Sequence, residues 1–200
     1  MSFLMTEEQK MATEGLRKFL NKEIKPQLEA HGEGHFSKEQ LQGWHQSLAE
    51  FGLVCAPHPE EFGGLGMDWV THLLLWEEVA VVSLDLAMPA LINVVGADLL
   101  INNAPEHIRD EYVPGLLSGE KFIAVGISEP DVGSDVAAVK TRAVRDGNDW
   151  VLNGEKTWIS NGEHMDLFVC TCKTASLLRK FFWQMCVCLS LTPWEVLAMV

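Results

Sequence analysis

The residues Gly126-Ile127-Ser128-Glu129-Pro130-Asp131-Val132-Gly133-Ser134-Asp135 join the end of an apolar run to a Pro/Gly turn with a hydroxyl on either side. Phe122 to Ile127 reads as a buried strand, so Ser128 stands at its end and the turn carries Ser134 near the same rim. Glycine in such a turn lets the backbone approach a ligand closely. Exposed N–H groups with two hydroxyls suit an anionic or carbonyl-rich group. Residue types alone leave an ordinary solvent turn as the alternative. Asp131 and Asp135 are bases by type, but an exposed turn is expected to use them for caps or turn hydrogen bonds.

Other chemistry-bearing residues point to simpler roles. Cys170-x-Cys172 and Cys186-x-Cys188 lack the two-residue gap of a zinc site, and strand alternation already places each pair on one face. Gly63-Gly64-Leu65-Gly66 has no preceding strand and no following Lys-Ser/Thr, so it reads as a turn and not a phosphate loop. No two of the seven histidines have ligand spacing. Glu77-Glu78 reads as a solvated helix edge with one inward contact.

A net charge of −13 with no Lys/Arg cluster argues against nucleic acid as a partner. The apolar share of 48% supports a globular core. Met1 to Met5 is too short and uncharged for a signal peptide. The five cysteines are therefore expected to be free thiols in a reducing, cytoplasmic setting.

The elements that must position the motif fall into two styles. Thr6-Glu7-Glu8-Gln9 and Ser37-Lys38-Glu39-Gln40 have capping-box spacing, and helical apolar periods follow each. Pro26 is expected to kink the first helix rather than end it. Gly52 is expected to stop the second. Asp68 is expected to cap the next helix, and Leu84 to Asn103 reads as a helix buried on every face of a bundle. Its length alone would also suit a membrane span, but Asp85, Pro89 and Asp98 argue against one. A last helix is expected to open at Ala104-Pro105-Glu106 and stop near Pro114-Gly115.

Strand signals begin at Phe122. Asp146-Gly147 predicts a hairpin, and Asn153-Gly154 and Asn161-Gly162 predict turns around strands at Lys156–Ser160 and Leu167–Thr171. The expected fold is α+β: an all-α helical bundle over 1–120, then an incomplete antiparallel β-barrel or sheet over 121–174. Residues 175–200, about two-thirds apolar and without Gly or Asp, read as a hydrophobic tail in a different style.

The 126–135 motif resembles the first signature of the acyl-CoA dehydrogenase family, in which Thr or Ser precedes Glu-Pro and Gly-Ser-Asp follows. Pro59 to Gly66, Trp76 to Ala80 and Tyr112 to Glu120 are similar to further family segments. Asn153 to Gly162 is similar to a second flavin-site motif at the expected distance. The resemblance runs from about Thr6 to Thr174.

That resemblance implies a flavoprotein oxidoreductase of fatty-acid metabolism that holds FAD and dehydrogenates an acyl-CoA at its α,β bond. Val125, Gly126, Ile127, Ser128, Gly133 and Ser134 would line the cofactor, with Ser128 at the pyrimidine edge of the flavin. Ser134 would stand where cofactor phosphate and substrate approach. Trp158, Ile159 and Ser160 would lie beside the ring, with Ser160 near N5. Ser128 and Ser160 stand where many relatives carry Thr, and both keep the hydroxyl. The family's proton-abstracting Glu belongs to a C-terminal helical domain, so no catalytic residue and no metal ligand is assigned. The sequence therefore reads as truncated before that domain, with tail 175–200 outside the family pattern and, less favoured, a C-terminal membrane anchor. An electron-transferring flavoprotein is the implied redox partner, and a homo-oligomer is the implied assembly of a completed chain. Two other readings stay open: a non-catalytic subunit docking on a full-length relative, or a flavin- or CoA-binding module.

Overall fold

The structure is a computed structural model, and it describes residues 5–147, 149–174, 184–192 and 195–199. The chain divides into two compact units, Met1–Glu120 and Lys121–Val200.

The first unit is built from six α-helices among the described residues: α1 Glu7–Phe19, α2 Lys25–His31, α3 Lys38–Ala49, α4 Trp69–Val82, α5 Leu84–Asn103 and α6 Glu106–Ser118. Local chemistry starts each of them as the spacing predicts. The Thr6 hydroxyl accepts from Gln9 N–H while the Gln9 side chain accepts from Thr6 N–H, and Ser37 with Gln40 repeats the arrangement. The Asp68 carboxylate accepts from Val70 and Thr71 N–H. Ser83, not singled out from the sequence, caps α5 through Leu86 N–H.

A π-helical turn, Leu20–Ile24, joins α1 to α2. Pro26 has no N–H and its ring would crowd the carbonyl four residues back, so one wider turn absorbs the misfit without ending the helix. The expected stop at Pro114-Gly115 is wrong. Helix α6 continues through Pro114 to Ser118, because Val113, Leu116 and Leu117 are buried and their packing offsets the cost of the proline. It ends at Gly119, whose φ is +80° and where a Cβ would lie 2.7 Å from the carbonyl carbon of His45. The all-round burial expected of α5 is also wrong. Leu86, Ala90, Val94, Ala97 and Leu100 face the core, whereas Leu84 and Val95 are exposed. The helix is long and apolar enough to cross a membrane, yet its buried Asn93 donates to the Leu116 carbonyl within this bundle.

His45 is fully buried in this unit, with Nε2 3.0 Å from the Leu86 carbonyl. Burial pushes its pKa down from 6.5 to about 4, against the smaller opposing pull of that carbonyl. The unfolded chain therefore takes up a proton near pH 6.5 that the folded unit refuses until about 4. Stability is expected to fall as pH drops through that window, by about 3 kcal/mol when complete. His58 and His72, also pushed down by burial, act in the same direction. Urea midpoints measured from pH 7 to pH 4 check this, with a shallower slope expected in His45→Asn.

The second unit carries one sheet: β1 Ile123–Gly126, β2 Arg142–Asp146, β3 Asp149–Asn153, β4 Leu167–Thr174, β5 Gln184–Thr192 and β6 Glu195–Met199. Its order is β3-β2-β4-β5-β6, with β1 also on β4. In place of the expected incomplete antiparallel barrel or sheet stands a mixed sheet that is not closed. β4 runs parallel to both β1 and β2, because long connections rather than hairpins link them. The hairpin at 146–149 forms, but its loop lies between paired Asp146 and Asp149, with Gly147 at φ +61°.

The tail expected to stand apart supplies β5 and β6, which extend the sheet antiparallel from β4. Its residues 175–183, 193–194 and 200 lie outside the described residues. Cys55 is a free, buried thiol as expected, and Cys170 is buried. Cys172 is not free: it is disulfide-bonded. The pairing of β4 with β5, a strand whose sequence holds two cysteines, brings such residues onto neighbouring strands.

Candidate functional site

The first motif begins where β1 runs out. Gly126 packs on Phe168 so closely that a Cβ would lie 2.5 Å from the ring. Val125 and Ser128 are half-buried, and Ile127 is exposed. Residues 129–132 form a tight turn closed by two reciprocal bonds, Glu129 N–H to Val132 O at 2.9 Å and Val132 N–H to Glu129 O at 3.0 Å. Pro130 and Asp131 occupy its corner, and the Asp131 carboxylate accepts from Lys140 Nζ at 2.7 Å. Gly133 and Ser134 follow on the surface.

The second motif leaves β3 at Asn153. Gly154 lies against Thr141, where a Cβ would be 2.6 Å from the backbone Cα. The strand expected at Lys156–Ser160 does not form, because Trp158 adopts φ +59° and breaks the extended path. The residue is 93% exposed. An exposed aromatic residue in left-handed backbone is strained by about 1–3 kcal/mol, and such strain gathers at ligand sites. Ile159 is half-buried, Ser160 is exposed, and Asn161 again turns left-handed at φ +64°.

Several hydrogen bonds tie the two segments together. Lys156 Nζ donates to Ile127 O at 3.1 Å, Thr157 N–H to Ser128 O at 3.0 Å, and Asn161 Nδ2 to Ile123 O at 3.1 Å. The structure thus brings Val125 to Ser128 alongside 156–161. Gly133 and Ser134 lie past the 129–132 turn, and no hydrogen bond among the described residues joins them to the second segment. The hydroxyls of Ser128, Ser134 and Ser160 make no hydrogen bond among the described residues, and Thr157 Oγ1 is buried without a partner.

The matches to known proteins follow the same two-part division. A family model described as acyl-CoA dehydrogenase, N-terminal domain, matches residues 6–120, more than half of the chain. The chain belongs to the acyl-CoA dehydrogenase family. A second model, the acyl-CoA dehydrogenase middle domain, matches residues 124–189 and so runs past Thr174, where the motif resemblance stops. Glutaryl-CoA dehydrogenase of Desulfococcus multivorans is 38% identical over 173 residues, which are 84% of this chain and 44% of that relative. A glutaryl-CoA dehydrogenase solved with glutaryl-CoA superposes with a TM-score of 0.81 at 34% identity, over 94% of this chain and 48% of the other. An acyl-CoA dehydrogenase of Bacillus anthracis solved with FAD gives 0.76 at 28% identity, over 92% and 31%. The chain spans less than half the length of these relatives.

One feature of this acyl-CoA dehydrogenase segment was invisible in the sequence. Glu129 and Lys156 form an ion pair at 2.9 Å, with side chains 4% and 6% exposed. The Glu129 carboxylate also accepts from Thr141 N–H, Thr141 Oγ1 and Lys140 N–H at 3.0, 2.6 and 2.6 Å. Burial alone would raise its pKa, but these donors together outweigh burial and hold it at about 2. Twenty-seven residues separate the partners, so no local spacing announces the pair. Its sequence signal is a charge placed a few residues after a buried strand. Among the described residues no group of His, Cys, Asp and Glu could hold a metal.

Proposed function

We propose that the two bends at 125–134 and 158–160 form the flavin-ring site of an FAD-dependent acyl-CoA dehydrogenase. The observation that carries this is the bond from Thr157 N–H to Ser128 O, which sets the two motifs side by side. Acyl-CoA dehydrogenases use FAD, and the residues here fit such a group: an exposed Trp158, and hydroxyls at Ser128, Ser160 and the buried Thr157 Oγ1 with no hydrogen-bond partner among the described residues.

When bound, FAD supplies a two-electron acceptor for the β hydrogen of an acyl-CoA thioester. Ser128 and nearby backbone N–H groups would bind the pyrimidine edge and stabilise negative charge there. Ser160 would donate a hydrogen bond near N5. Trp158 would cover the ring and keep water from it. Ser134, on the surface beyond the turn, would meet the cofactor phosphate and the acyl-CoA. No carboxylate among the described residues is assigned the proton-abstracting role, which the family places in its C-terminal helical domain. Little turnover is therefore expected from these 200 residues alone.

Titrating the purified chain with FAD is expected to quench flavin fluorescence saturably and perturb the visible band. Adding acyl-CoA thioesters of several lengths is expected to shift that band with little bleaching. Absence of saturable FAD binding would sink the reading, and rapid bleaching would show that the carboxylate role is filled within the chain.

A further inference from the structure

The Lys156 side chain touches both halves of the site described above and the sheet beneath it. Its Nζ donates to Ile127 O at the end of β1, to Glu129 Oε1 in the following turn, and to Thr171 Oγ1 on β4 at 3.1 Å. Glu129 carries the link onward to Lys140 and Thr141. Gly154, two residues before Lys156, is pressed onto the same Thr141. Four separate stretches of chain therefore meet at one ammonium and one carboxylate. Neither charged group reaches the surface, so neither is available to touch a ligand.

Such an arrangement is costly unless it does something else. A desolvated ion pair contributes little net stability compared with well-packed apolar side chains of the same volume. What it provides is direction: an ammonium with three fixed acceptors holds those acceptors at fixed separations. Two of the acceptors here are the backbone immediately before Ser128 and the carboxylate immediately after it, and the third is Thr171 Oγ1 on β4. The donor is the residue immediately before Thr157, whose own N–H completes the bridge to Ser128.

We infer that Lys156, through Glu129 and the Ile127 carbonyl, is a positioning residue that sets the separation of the Ser128 and Trp158–Ser160 bends and thereby the geometry of flavin binding. This rests on the flavin reading given above. Lys156→Met keeps the aliphatic stem and removes the cross-link. Lys156→Arg restores a cation with a different reach.

In Lys156→Met, FAD affinity is expected to weaken about tenfold or more, as small displacements of positioned groups do. The visible circular dichroism of the bound flavin is expected to change, and Thr157 N–H to exchange faster with solvent, while amides of α1 to α6 keep their wild-type rates. Lys156→Arg should recover part of each change. Thr171→Val removes one acceptor and leaves the charge pair, so it should reproduce the same changes in smaller measure, and it decides the matter should Lys156→Met not fold. A wild-type chain that takes up no FAD overturns the flavin reading, while Thr157 exchange still judges the clamp. Unchanged Thr157 exchange in folded Lys156→Met, or in Thr171→Val where that variant must serve, overturns the inference.

Discussion

Replacing Glu129 by alanine is expected to destabilise the second unit by about 3–5 kcal/mol. The loss comes from what remains. Lys156 keeps a buried charge with only Ile127 O and Thr171 Oγ1 as acceptors, and the N–H groups of Lys140 and Thr141 lose theirs. Each orphaned donor adds a desolvation penalty, the larger at the buried Thr141 N–H. Removing both partners in Glu129→Ala/Lys156→Met takes away the stranded cation, so the double variant should be more stable than Glu129→Ala alone. That non-additive recovery marks the pair as coupled. The pH dependence gives a second reading. The carboxyl titrates near 4.5 when unfolded and near 2 when folded, so its contribution is present above pH 4.5 and lost as pH falls toward 2. Denaturation followed by far-UV circular dichroism measures all three effects. A loss below about 1 kcal/mol in Glu129→Ala would place the pair at the level of a surface ion pair.

The contrast between what the sequence announced and what it hid follows from range. Thr6, Ser37 and Asp68 cap their helices as spacing predicts, because a cap is decided within four residues. Pro114 misleads, because the packing of Val113, Leu116 and Leu117 outweighs a local rule. The existence of β1 and of the β2–β3 hairpin was legible from their periods and turn residues, but their exact ends were not. Which strands pair was not: β4 lies between β1, β2 and β5 by connection, and a period of two says nothing about neighbours. The break at Trp158 was hidden for the opposite reason. Nothing about a tryptophan favours positive φ, so its left-handed backbone is imposed by the Thr157 and Asn161 bonds on either side. The turn between Ser128 and Ser134 was legible from its residue types and the Trp158–Ser160 segment was singled out by resemblance, while the buried pair that joins them needed the fold to bring positions 129 and 156 together.

The largest effect in the helical unit is expected at Gly64, and its neighbour supplies the control. Gly63 has φ +89° with no atom within 4 Å of a built Cβ, so Gly63→Ala pays only for left-handed backbone, about 1–2 kcal/mol. Gly64 has no positive φ, but its Cβ would lie 2.0 Å from the carbonyl oxygen of His58. That carbonyl cannot retreat freely, because it accepts from Gly66 N–H at 2.9 Å, and Gly64 N–H is itself held by Pro59 O at 3.0 Å. Leu65 and Met67 N–H fasten the same loop to Cys55 and Ala56. Gly64→Ala must therefore break the loop's own hydrogen bonds, and a loss exceeding about 4 kcal/mol is expected. The damage has a distinctive signature. His58 and His72 are buried, with three of their ring nitrogens lacking partners, and burial holds both below the ordinary histidine range. A loop forced outward admits water to both, so their pKa values should rise toward 6.5 in Gly64→Ala and stay low in Gly63→Ala. Proton NMR titration of the imidazole C–H signals reads this directly. Equal stability losses in the two variants, or histidines that titrate alike in both, would show that the His58 carbonyl yields and that Gly64 serves no closer purpose than its neighbour.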